Sequence, residues 1–153
     1  MARILVIGYG NSSRGDDAFG QLAAERLREL VQQGDVDVQT LCLPQLAPEL
    51  MEDLSQADLA IFIDAAASGE PGCLTRRDIN PQAGTRAAFT HHGSPEALLN
   101  GAQALYGRSA KGVMFSVAAE DFSFGAELSP AVAEKLAPVV ESVLRLIAER
   151  APK

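Results

Sequence analysis

Apolar residues gather in short runs separated by helical patterns. Ile4-Leu5-Val6-Ile7 follows Arg3 without alternation and stops at Gly8 and Gly10, as a strand buried on both faces does. After a loop from Tyr9 to Asp17, Phe19, Ala23, Leu27 and Leu30 share one face of a helix expected from about Ala18 to Gln33, with Gly34 as its C-cap. Val36 to Leu43 reads as a second strand closed by Pro44. A short helix follows, with Pro48 near its first turn and Leu46, Leu50 and Leu54 on one side. Asp58 to Asp64 is a third apolar strand whose last residue is charged.

Cys73 to Ile79 has the pattern of an edge strand carrying Arg76 or Arg77 outward, and Asn80 to Arg86 that of a loop. Ser94-Pro95 starts a helix with Leu98, Ala102 and Leu105 on one face. Gly112 to Val117 forms another strand. Ser129-Pro130 opens a last helical segment, in which Pro138 demands a kink or a division into two helices. Strands apolar on both faces, alternating with helices, imply an α/β fold: a mostly parallel twisted sheet of about five strands with helices on both faces. No repeat or linker divides residues 1–153, so one domain is expected.

Composition narrows the classes. The chain is 47% hydrophobic and 22% charged, near the globular average, which argues against disorder and coiled coil. Its net charge of -7 opposes nucleic acid as a partner, because phosphate neutralisation drives most such affinity. No apolar run is long enough for a membrane span, and the run after Arg3 is too short for a signal-peptide core, so a cytoplasmic protein is expected. Cys42 and Cys73 cannot build a disulfide framework and read as core thiols. Core packing likewise accounts for Tyr106, Phe115, Phe122 and Phe124.

In a parallel sheet, ligands gather beyond the carboxyl ends of the strands. Gly8-Tyr9-Gly10 invites a nucleotide reading, but Ser13 stands where a third glycine belongs, and no acid ends the second strand. Asp16 and Asp17 would also repel a phosphate there. Capping the following helix accounts for one of these acids and leaves the other to explain. Asp64 ends a central strand, where it either faces a cleft or makes an Asx turn into Ala65-Ala66-Ala67-Ser68-Gly69. His91 and His92 are the two histidines and precede the Ser94 helix. Asp17, Asp64 and one histidine, from three separate loops, form an open donor set suited to a divalent ion such as nickel or zinc. A serine-hydrolase reading with Ser12 or Ser13, His91 and Asp64 lacks a nucleophile elbow.

Ile4-Leu5-Val6-Ile7-Gly8-Tyr9-Gly10-Asn11 with Arg14-Gly15-Asp16-Asp17-Ala18-Phe19-Gly20 resembles the opening of the hydrogenase maturation proteases. Ile63-Asp64-Ala65-Ala66 with Gly69-Glu70-Pro71-Gly72, and Thr90-His91-His92-Gly93-Ser94-Pro95-Glu96-Ala97-Leu98-Leu99, resemble their second and third motifs. A weaker likeness runs through Glu120-Asp121-Phe122-Ser123-Phe124-Gly125 and Leu128-Ser129-Pro130. The resemblance implies an endopeptidase that removes the C-terminal extension of a nickel-iron hydrogenase large-subunit precursor after nickel insertion. It implies metal contact by Asp17, Asp64 and His91, with His92 as the alternative histidine. The metal is expected to be nickel carried by the substrate, with no organic cofactor. Many members have Glu at the position of Asp17, and an Asp-Gly-Gly-Thr stretch where this chain has Cys42-Leu43-Pro44-Gln45-Leu46. The other functions open to such a chain are a non-catalytic metal-sensing maturation chaperone and a nucleotide-binding module.

Overall fold

The computed structural model describes residues 2–31, 34, 36–81 and 93–150. Five strands form one sheet: β1 (Ala2–Tyr9), β2 (Val36–Leu43), β3 (Leu59–Ala66), β4 (Leu74–Ile79) and β5 (Lys111–Ala118). Their order is β2-β1-β3-β5-β4, with β4 antiparallel to β5 and every other pair parallel. Among the described residues, five α-helices accompany them: α1 (Phe19–Leu30), α2 (Leu50–Gln56), α3 (Pro95–Tyr106), α4 (Pro130–Ala133) and α5 (Leu136–Glu149).

The pleat sorts the core into two layers. Ile4 and Val6 of β1, with Leu59, Ile61 and Ile63 of β3, pack against Phe19, Ala23 and Leu27 of α1 and against Val139, Val140 and Val143 of α5. Leu5 and Ile7 of β1, with Ala60 and Phe62 of β3, meet Leu50, Met51 and Leu54 of α2 and Leu98, Leu99 and Ala102 of α3. This is the α/β sheet with helices on both faces that the apolar pattern predicts. β4 is the expected edge strand, and Arg76 and Arg77 on it are both exposed.

Several local expectations are corrected. α1 ends at Leu30, where Val31 turns to extended backbone and donates its N–H to the Leu27 carbonyl, so Gly34 is not the cap. Leu30 and Leu105 lie on the outer edges of their helices and are exposed. Tyr106 and Phe124 are exposed rather than core, the latter beneath the Arg14 guanidinium at 4.5 Å. Phe122 is partly buried, and Phe115 is buried as expected. Cys42 is partly buried, Cys73 is exposed, and both are free thiols. The last segment divides into α4 and α5, which places Pro138 in the first turn of α5, where a missing N–H costs no helical bond. Residues 82–86 of the expected loop lie outside the described residues.

Candidate functional site

β2 and β3 flank β1 on opposite sides, so the chain direction across the sheet reverses between β1 and β3. The crevice beyond the carboxyl ends of these two strands is the natural ligand site of a parallel sheet. Tyr9 ends β1, Asp17 follows it in the next loop, and Asp64 lies near the end of β3.

Three glycines set the entry of the loop. A Cβ at Gly8 would collide with the Gly20 carbonyl oxygen, and one at Gly20 with that of Ile63. These glycines let α1 lie directly on β1 and β3. Gly10 has φ +142°, and a side chain there would meet Asp17. Asp17 is partly buried, and its Oδ2 accepts the Asn11 N–H at 2.7 Å.

Asp16 points elsewhere. It is fully buried, and its carboxylate accepts N–H groups from Glu120 at 2.8 Å, Asp121 at 2.9 Å and Ser129 at 2.7 Å, with the Ser129 hydroxyl also donating. Burial alone would raise its pKa, but these bonds outweigh it and hold the carboxyl below its ordinary range. Neither acid makes a side-chain cap bond; both sit in the first turn of a 3-10 helix, Gly15–Ala18. Asp16 thus fastens the loop before α1 to the loop after β5. The Asp-Asp spacing shows that one acid needs a purpose beyond capping, but its partners lie over a hundred residues away.

Asp64 is partly buried, and its Oδ2 accepts the Tyr9 hydroxyl at 2.7 Å. Its Oδ1 is buried with no hydrogen-bond partner. Desolvation raises the Asp64 pKa most. The Ser116 hydroxyl on β5 favours the charged form without closing a bond to Oδ1, Tyr9 and Arg77 also favour it, and the Asp17 charge opposes it. Arg77 of β4 pairs with Glu96 in the first turn of α3. Asp64 thus combines a buried acceptor without a hydrogen-bond partner and a second acid, Asp17, near enough to oppose its charge.

The structure therefore places Asp17 and Asp64 close enough for their charges to interact. His91 and His92 lie outside the described residues, immediately before Gly93 and the α3 cap, where the Ser94 hydroxyl accepts the Ala97 N–H at 3.1 Å. Among the described residues, no three His, Cys, Asp or Glu side chains group to hold a metal. Tyr9 is the site residue that sequence reasoning missed. Its parity with Leu5 and Ile7 puts it on the Asp64 face, but that signal needs the pairing of β1 with β3.

No protein-family model and no curated protein matches the sequence. Solved structures do. Hydrogenase maturating endopeptidase HybD from E. coli is similar at 25% identity and a TM-score of 0.75, over 96% of this chain and 93% of that one. The [NiFe] hydrogenase maturation protease HycI from Thermococcus kodakarensis is similar at 28% identity and 0.70, over the same 96% and 93%. An endopeptidase from Escherichia coli reaches 26% and 0.70, again over 96% and 93%. Architecture and near-complete coverage agree with the motif resemblance, and the similar proteins are endopeptidases, consistent with a peptidase. In fold and chain extent, the protein is similar to the hydrogenase maturation endopeptidases.

Proposed function

We propose that this chain is an endopeptidase that trims the C-terminal extension of a nickel-iron hydrogenase large-subunit precursor once nickel is seated in it. The observation that carries the reading is the orphaned, buried Oδ1 of Asp64 beside the charge of Asp17, at the strand reversal of the sheet. Two carboxylates suit a divalent ion, and an imidazole from His91, or from His92, would complete an open set. Nickel belongs to the substrate here. Asp17, Asp64 and His91 would register its presence and hold the adjoining peptide in place, so that precursors without nickel remain uncut. Among the described residues no helix is long and apolar enough to cross a membrane, and both cysteines are free thiols, which supports a reducing, cytoplasmic setting.

Purified protein incubated with nickel-loaded precursor should yield a shortened large subunit by intact-mass spectrometry, and nickel-free precursor should not be cut. Tight binding without any mass change would support the maturation-chaperone reading instead. Thermal stabilisation by nucleotides, and none by nickel, would support the nucleotide reading instead.

A further inference from the structure

Tyr9 is the last residue of β1, one step beyond the Gly8–Ile63 pair, so it lies beside Asp64 on the α2 and α3 face of the sheet. Its hydroxyl donates to Asp64 Oδ2 at 2.7 Å, and the hydroxyl oxygen lies 4.0 Å from Met114 Sδ. The two oxygens of Asp64 are unequal: Oδ2 accepts the Tyr9 hydroxyl, while Oδ1 is buried without a hydrogen-bond partner.

We infer that Tyr9 is a positioning residue that holds Oδ2 of Asp64 and presents Oδ1 alone, in one orientation, to the cation of the substrate. This rests on the reading of Asp64 as a cation-contacting acid. The geometry supplies the rest. The β1–β3 ladder fixes both backbones, and the Tyr9 ring, packed against the second core layer, gives its hydroxyl little freedom to turn away. A carboxylate held this way is a one-oxygen contact with a set direction, which suits recognition of an ion already ligated by another protein. An unrestrained carboxylate could swing or chelate with both oxygens. Outer partners that orient a ligand in this way typically change metal affinity about 10–100-fold when removed.

The test uses the full chain and Co2+ as the probe, followed by visible absorption, with wild type, Tyr9→Phe and Asp64→Ala titrated in parallel. Tyr9→Phe keeps the ring and the packing and deletes the donor, so its thermal midpoint should stay within a few degrees of wild type. Wild type should bind Co2+, and Asp64→Ala should lose the cobalt spectrum. Tyr9→Phe should bind about 10–100-fold more weakly, with shifted absorption bands. A Tyr9→Phe variant with wild-type affinity and wild-type bands would overturn the positioning role while leaving Asp64 as a cation contact. Equal Co2+ binding by wild type and Asp64→Ala would overturn the Asp64 reading and this inference with it. Failure of precursor cleavage, with the cobalt results as expected, would strike the peptidase proposal alone.

Discussion

Adjacent in sequence, Asp16 and Asp17 meet different neighbours: Asp16 collects donors from Glu120, Asp121 and Ser129, whereas Asp17 accepts from Asn11 beside Asp64. Asp16→Ala strands buried N–H groups and should destabilise the protein by roughly 3 kcal/mol, read from the urea midpoint. Because the folded pKa of Asp16 lies below its unfolded value near 3.9, its contribution is present above that value and is lost as pH falls through the folded one. The wild-type midpoint should therefore drop on acidification below about pH 4 more steeply than that of Asp16→Ala. Asp64 has the opposite sign. Its folded pKa is raised, so the native state binds a proton that the unfolded chain does not, and stability falls as pH rises through that interval. Asp64→Asn should raise stability at neutral pH by about 1 kcal/mol, removing a desolvated charge next to Asp17 while keeping an oxygen for Tyr9. The two acids were legible as chemistry because one ends an apolar strand and the other belongs to an acidic pair. Their separate duties were not, because long-range hydrogen bonds leave no periodic trace.

At the scale of elements, β1 and β3 follow from unbroken apolar runs, β2 and β5 from apolar stretches bounded by turn residues, and the edge strand β4 from Leu74 and Ile79 on either side of Arg76 and Arg77. The Ser94-Pro95 start was equally legible, since the cap chemistry is local; Ser94→Ala should lower stability by about 1 kcal/mol. Helix ends were less so. The apolar set ends at Leu30 and Gly34 is the first local stop signal after it, yet Val31 already turns to extended backbone, so α1 stops before Gly34. Exposed aromatics were misread for a related reason: Phe124 finds cover under Arg14, a contact made across the Arg14–Phe124 bridge. The role of Gly20 also needs the fold, because its close approach is to Ile63 on a strand forty residues on. Gly20→Ala should cost about 2–3 kcal/mol by forcing α1 off β3, seen as a lower urea midpoint with an unchanged slope.

Across the whole molecule, the sheet order brings segments from both sides of the β1–β3 reversal to one crevice, which is how residues far apart in the chain come to share a site. Fold class follows from patterning alone, whereas the candidate histidine comes from motif resemblance only, and Tyr9 from the structure only. On the proposed function, removing the Asp64 charge should raise stability and abolish activity in the same step. The decisive measurement is the intact mass of nickel-loaded large-subunit precursor after incubation with wild type and with Asp64→Asn. Wild type should convert it to the shortened form, and the folded Asp64→Asn protein should leave it at full length. Equal trimming by both would contradict the assignment of Asp64, and with it the reading of the site.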